Sequence, residues 1–193
     1  MVIDGKIITL LTFPGVIVHE LAHLLFCKLV KIRVYDVCYF RWSLFKISIQ
    51  DVCYSRCDQA AGYVRHEVPN KAWKTIIINC GPFIINSLVG GLISMPLSIK
   101  RMYGNSNFLD YILLWLGISI TMHAFPSKED AGNVWRLIKG EQISIITKVF
   151  ATPIAGFMYF LNIGSIGWLD FFYALALPYF MFQMLVGIYM RFI

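Results

Sequence analysis

Residues 7–30 read IITLLTFPGVIVHELAHLLFCKLV and decide the fold. This stretch is apolar almost throughout and is long enough to cross a bilayer, which takes about 20 mostly apolar residues. It nevertheless contains His19, Glu20 and His23 within five positions. Ionisable side chains at membrane depth are costly and usually functional. The stretch therefore predicts a membrane helix that carries a functional site.

The composition of the whole chain supports a membrane protein. Of 193 residues, 58% are hydrophobic and only 15% are charged, whereas soluble domains are about a quarter charged. An aromatic content of 16% excludes a disordered chain. In so apolar a chain, the net charge of +6 indicates lysines and arginines facing anionic lipid headgroups rather than nucleic acid. We expect one integral membrane domain over residues 1–193, with the lipid bilayer as partner, no nucleic-acid partner and no cleaved signal peptide.

The apolar segments predict an all-α multi-pass membrane protein with about five transmembrane helices. They cover approximately residues 7–30, 75–99, 108–125, 143–163 and 168–190, with a tight turn at 162–167 between the last two. Residues 31–74 differ, because the runs KIRVYDVCYF and LFKISIQDV alternate in the manner of short strands. A small β-sheet at the membrane surface is expected between the first and second helices.

The distribution of basic residues predicts the orientation of these helices. Nine lysines and arginines lie in residues 28–74, three lie in 126–142, and Arg191 lies at the C-terminus. Only Lys6, Lys100 and Arg101 fall on the opposite side. By the positive-inside rule, the N-terminus is outside, while both large loops and the C-terminus are cytoplasmic. A prokaryotic plasma membrane is the expected location.

The cysteines give no disulfide pattern. They are Cys27, Cys38, Cys53, Cys57 and Cys80. An odd number without a CxxC pair is not typical of a disulfide scaffold, so we expect reduced or structural thiols. His66 lies in the loop and is expected to be a solvated surface histidine.

The five residues from His19 to His23 form an HExxH motif. Positions i and i+4 share one face of a helix. Two imidazoles so placed can bind one Zn²⁺, and Glu20 can then activate a zinc-bound water as general base. The alternative is that these polar residues are merely tolerated inside a helix bundle. Three ionisable groups at membrane depth need partners, however, and a metal provides one.

A zinc site of this kind needs a third protein ligand. The ligand must reach the cytoplasmic half of the first span, where the predicted orientation puts the two histidines. The segment HAFPSKED, residues 123–130, lies at the cytoplasmic end of the third span. Asp130 is our first choice, His123 the second and Glu129 the third. Asp130 could instead complete a capping box opened by Ser127, and His123 could instead bond a backbone carbonyl or orient a ligand.

The HExxH motif is followed by Gly62-Tyr-Val64, then by KAWKTIII at 71–78, and then by GPFIIN at 81–86. With these motifs in this order, the sequence resembles the site-2 protease family of intramembrane zinc metalloproteases. In that family, a GYV-type segment belongs to a membrane-associated sheet. A basic, tryptophan-containing stretch then leads into a helix with GPxxN. The resemblance covers roughly residues 10–95.

The resemblance implies that His19 and His23 bind zinc and that Glu20 is the catalytic base. It also implies that Asn86 faces the active site, where it binds substrate or stabilises the oxyanion. The alternative for Asn86 is a hydrogen bond between helices. The family usually takes its third ligand from an LDG or NPDG-like segment, and this chain has only Trp168-Leu-Asp170, predicted on the outer side. The resemblance is therefore to a divergent, minimal member without a PDZ domain.

These observations predict a zinc-dependent intramembrane metalloprotease that hydrolyses a peptide bond in or near a membrane helix. The cofactor would be Zn²⁺ and the substrate a membrane protein or peptide, which the sheet at 31–64 could hold by edge pairing. Two alternatives remain open. One is a membrane metal-binding protein without catalysis, such as a transporter or sensor, and the other is a scaffold.

Overall fold

The computed structural model describes residues 5–41, 61–103, 107–140 and 143–192. Its elements in chain order are α1 (Gly5–Leu11), α2 (Phe13–Leu29), β1 (Val34–Cys38), β2 (Tyr63–His66), α3 (Ala72–Tyr103), α4 (Phe108–Met122), α5 (Lys128–Lys139), α6 (Ile145–Ile166) and α7 (Leu169–Phe192). The expected helical fold with a small sheet before the third helix is confirmed. The run predicted as a strand at 44–52, together with Cys53 and Cys57, lies outside the described residues.

Three helices of the described chain are long and apolar enough to cross a membrane. They comprise Ala72–Met95 within α3, Ile145–Ile166 in α6, and Leu169–Arg191 within α7. Helix α4 is also apolar, but it has only 15 residues. These helices fit a membrane protein, and the expected number of five transmembrane helices is not confirmed.

The first predicted span, 7–30, is not one helix. The chain breaks at Thr12, between α1 and α2, because Pro14 has no backbone N–H to continue the ladder. The carbonyl of Ile8 accepts both the Thr12 backbone N–H at 2.9 Å and the Thr12 hydroxyl at 2.8 Å. The break leaves α2 with 17 residues.

The sheet is a two-stranded antiparallel ribbon in which Val34 pairs with His66 and Cys38 with Tyr63. Val34 packs against Cys27 on α2, in a cluster that also contains Val30 and Ile78. The alternation of KIRVYDVCYF thus predicted β1 correctly. The ribbon lies beside the helix that carries HExxH.

Helices α2 and α4 both run antiparallel to α3. The Asn86 side chain of α3 contacts the carbonyls of Gly15 and Ile120, and Ile78 contacts His23 further along α2. Gly15 also lets α2 approach α4 closely, because a Cβ at this position would overlap the carbonyl of Ser119 on α4. Small residues at helix contacts are typical of membrane bundles.

Helices α5 and α6 form an antiparallel hairpin on the side of α3. Its core comprises Ala131 and Val134 on α5 with Ala155 and Met158 on α6. At the open end, the Asn162 amide donates to the carbonyl of Pro126 at 3.4 Å. The end of α6 therefore returns to the place where the chain left α4.

Helix α7 runs parallel to α3, which corrects the predicted topology. The hydroxyl oxygens of Ser87 on α3 and Tyr173 on α7 lie 2.8 Å apart. One turn later on α3, Gly91 faces Leu177 and Met181, which lie further along α7. Five alternating spans would have made the last helix antiparallel to the second. The α5–α6 hairpin adds one reversal of chain direction that the five predicted spans do not contain.

The turn between the last two helices is also shorter than predicted. Helix α6 continues to Ile166, so residues 162–166 are helical and the reversal occurs at Gly167 and Trp168. Trp168 has a φ of 63°, a left-handed conformation that is uncommon for a bulky residue.

We expect the C-terminus and the sheet to lie on opposite faces of the membrane, because α3 and α7 point the same way. Topology reporters fused after Ile193 test the position of the C-terminus, with one reporter active only in the cytoplasm and the other only outside it. A cysteine introduced at exposed Lys71 and labelled with an impermeant thiol reagent reports the other end. Reporters and label on the same face would contradict the parallel arrangement.

Candidate metal centre

Helix α2 places the three ionisable HExxH side chains inside the protein. His19 is 8% exposed, Glu20 7% and His23 8%. The two histidines are one helical turn apart, and their Nε2 atoms lie 3.2 Å from each other. The expected common face is therefore present.

A backbone carbonyl fixes the orientation of each imidazole ring. His19 Nδ1 donates to the carbonyl of His123 at 2.7 Å, and His23 Nδ1 donates to that of Ile78 at 3.0 Å. A carbonyl oxygen only accepts, so the proton of each neutral ring resides on Nδ1. Both Nε2 atoms then present lone pairs, the usual arrangement of metal-binding histidines.

Asp130, at the start of α5, completes the cluster. Its Oδ1 lies 3.2 Å from His23 Nε2, and its Oδ2 lies 3.6 Å from His19 Nε2. Burial alone would raise the pKa of Asp130, but the positive charge of the imidazoles, once they are protonated on Nε2, lowers it well below its usual range. The group is therefore a carboxylate that only accepts. Three acceptors converge, and either a cation or an additional proton must lie between them.

The spacing of these atoms fits zinc. The three residues each offer one ligand atom, and these atoms all lie within 4.8 Å of one another. Zinc bonds of about 2.0–2.1 Å in a tetrahedron separate neighbouring ligand atoms by about 3.3–3.4 Å. The measured 3.2 Å between the two imidazole nitrogens and 3.2 Å from His23 Nε2 to Asp130 Oδ1 are close to that edge. Two imidazoles, one carboxylate and an open fourth position are typical of catalytic zinc sites.

Asp130 also has the capping role that was its alternative interpretation. The Ser127 backbone N–H donates to Asp130 Oδ2 at 2.8 Å, and the Asp130 N–H donates to Ser127 Oγ at 3.1 Å. This capping box orients the carboxylate independently of any metal. One side chain therefore caps α5 and faces the histidines.

The other two ligand candidates do not join the cluster. The Thr12 hydroxyl lies 2.8 Å from His123 Nε2. Since this hydroxyl gives its proton to Ile8, His123 Nε2 is the donor. His123 acts on the site through its backbone carbonyl, as the orienting alternative proposed. Glu129 is exposed and lines the cavity without belonging to the cluster.

Asn86 connects helices in this structure. Its Nδ2 lies 3.1–3.2 Å from the carbonyls of Gly15, Ile120 and His123. These contacts tie α2, α3 and the end of α4 together. Asn86 is absent from the described lining of the cavity. The contacts are those of the interhelical alternative, and one of them holds the carbonyl that orients His19.

A cavity of about 560 Å³ opens over the cluster. Residues 61–64, which include the start of β2, line one side, and the end of α6 together with the start of α7 lines another. Gly62 is needed here, because a Cβ would lie 2.7 Å from Glu20 Cγ. One expectation is corrected. Asp170 lines this cavity instead of lying on the far side, because α7 starts at the same end as α3. His66 is half-buried and also lines the cavity.

Comparisons of the chain with protein-family models, with curated protein sequences and with solved structures returned no match. The chemistry of the site itself must therefore indicate the function. Sequence reasoning missed the carbonyl of Ile78, the Thr12–His123 bond, and a pair of asparagines, Asn79 and Asn133, that line the cavity. No sequence motif marks such contacts, because they arise only from tertiary packing.

Proposed function

We propose that this protein is a zinc-dependent intramembrane metalloprotease that hydrolyses a peptide bond in or near a membrane helix. The observation that supports the proposal is the convergence of His19 Nε2, His23 Nε2 and an Asp130 oxygen within 4.8 Å of one another, with two of the separations at 3.2 Å. Glu20 adjoins the first of these ligands on the same helix and lines the same cavity. An isolated ion pair would need neither the open cavity nor a buried glutamate.

The chain's own groups then have distinct tasks. Zinc held by the cluster would lower the pKa of a bound water toward about 7 and polarise the scissile carbonyl. Glu20 accepts the proton of the attacking water and returns it to the leaving amine. The carbonyls of His123 and Ile78 keep the Nδ1 protons of both histidines in place, so that the ligand tautomers do not change.

The substrate must be unwound to react, because a helix shields its carbonyls in its own hydrogen bonds. The cavity offers an extended surface for such a segment, from residues 61–64 at the start of β2 to the end of α6 and the start of α7. The sheet described here has two strands, and edge pairing with β2 is the proposed binding mode. The substrate class is a membrane protein or peptide.

A metal-binding membrane protein without catalysis is the second candidate. The same three ligands would serve a transporter or sensor, but Glu20 would have no task in it. The buried carboxylate of Glu20, which lies beside the proposed ligands and close to Gly62, favours the protease.

Zinc content tests the site directly. We expect about one zinc per chain in the detergent-purified protein by elemental analysis, and none in His23→Ala, because one imidazole and Asp130 cannot hold the ion alone. His66→Ala, which removes another cavity histidine outside the cluster, should retain zinc. Wild-type protein that contains no zinc and takes none up on addition would mean that a proton fills the cluster, and the protease proposal would be wrong.

A further inference from the structure

A chain of side-chain hydrogen bonds connects α5 to α3 beside the metal cluster. The Arg136 guanidinium donates to Asn133 Oδ1. Asn133 Nδ2 donates to Asn79 Oδ1 at 2.9 Å, and Asn79 Nδ2 donates to the carbonyl of Thr75 at 2.7 Å. All three donors point the same way, from an exposed cation to a side chain that is 2% exposed. Bonds aligned in this manner polarise one another.

Each asparagine lies within one helical turn of a residue that forms or orients the metal cluster. Asn79 follows Ile78, whose carbonyl holds His23. Asn133 lies three residues after Asp130, on the same face of α5. The Asn133–Asn79 bond therefore joins the segment that orients one ligand to the segment that carries another.

Helix packing alone does not explain this polar pair. Close to it, α3 already makes an apolar contact, in which Ile76 and Cys80 pack against the cluster formed by α5 and α6. Replacing both partners of a buried hydrogen bond by apolar groups of the same shape can be nearly neutral for stability. The pair, in which Asn79 is buried and Asn133 is half-buried at the edge of the cavity, instead fixes one relative position of the two helices, as a single buried asparagine fixes the register of coiled coils.

We propose that Asn133 and Asn79 are positioning residues for the metal centre. Their hydrogen bond sets the separation between Asp130 and His23, and with it the affinity and coordination geometry of the site. The proposal rests on the proposed metal site and assigns these residues no contact with the reacting atoms.

A double-mutant cycle on the full-length protein in detergent tests the proposal. The variants are Asn79→Leu, Asn133→Leu and the pair, with Zn²⁺ affinity measured by chelator competition and Co²⁺ absorption as the probe of geometry. We expect each single change to weaken Zn²⁺ binding about 10- to 100-fold and to alter the Co²⁺ spectrum. The double variant should be no worse than the poorer single variant, since both remove one interaction. Ser165→Ala is the control, because Ser165 lines the same cavity but bonds within its own helix.

The outcomes separate this proposal from the proposed function. Wild-type protein that binds neither metal would overturn the metal site itself. Leucine variants with wild-type affinity and spectrum would leave the site intact and overturn the positioning role, as would strictly additive losses. If a leucine variant fails to fold, Arg136→Met removes only the exposed end of the chain of bonds. It should weaken Zn²⁺ binding several-fold in protein of unchanged melting temperature, and unchanged binding would refute the proposal.

Discussion

Glu20→Gln is expected to abolish peptide hydrolysis while leaving zinc bound. The amide has almost the same shape as the carboxylate, but it cannot take a proton from water. General-base catalysis contributes about 10²- to 10⁴-fold, so cleavage should fall by at least that range. A panel of single-span peptides with helix-breaking residues, reconstituted with the protein, gives the measurement through fragments identified by mass spectrometry. Zinc is determined on the same samples.

The matched control is Glu129→Gln, which removes the charge of another glutamate lining the cavity. Because Glu129 is exposed and outside the cluster, this variant should keep both activity and zinc. Cleavage that survives Glu20→Gln would contradict the role of Glu20 as base. A wild-type protein that holds zinc but cleaves no peptide would favour the transporter or sensor.

Substitution of Asp130 is expected to have the second large effect, loss of the metal. Asp130→Asn keeps an oxygen for the Ser127 N–H but removes the negative charge that faces the histidines. Zinc affinity should fall at least about 100-fold, beyond the loss typical of a residue that only supports a ligand. Competition with a chelator measures this. Asp130→Ala should in addition destabilise α5, because the Ser127 N–H loses its side-chain acceptor.

Asp110 provides the control for the capping role. It closes an equivalent capping box at the start of α4, so Asp110→Ala should cost similar stability and leave zinc affinity unchanged. Retention of zinc by both Asp130 variants would show that Asp130 is only a cap. The third ligand would then have to be sought elsewhere in the cavity.

Much of the site could be predicted because its residues obey local rules. HExxH places two imidazoles on one helical face whatever the rest of the fold. Asp130 was found from membrane sidedness, because the positive-inside rule brought residues 123–130 to the end where the histidines lie. The sequence ranked Asp130 ahead of His123 and Glu129, and Asp130 is the candidate that the structure brings to the histidines, but the sequence could not give the reason why His123 stays away. The direction of the His123 ring depends on Thr12, 111 residues away.

The topology was harder, for a related reason. Hydropathy identifies helices that are long and apolar enough to span a membrane. Helix α5 is instead a short amphipathic helix whose apolar residues pack on α6. The sequence showed only its capping signal, which is compatible with an isolated turn. Whether α7 runs with or against α3 depends on that hairpin, and therefore the position of Asp170 was predicted on the wrong side.

The capping box around Asp130 has a consequence for how the protein matures. Small zinc modules often fold only when the ion arrives, because nothing else orders their ligands. Here the Ser127 N–H holds the carboxylate, and two backbone carbonyls hold the imidazoles. If the cluster binds zinc as proposed, we expect metal loading to follow folding, because the ligands are already ordered without the ion. A chelator should then give an inactive chain that stays folded and regains its ion on exposure to zinc salts.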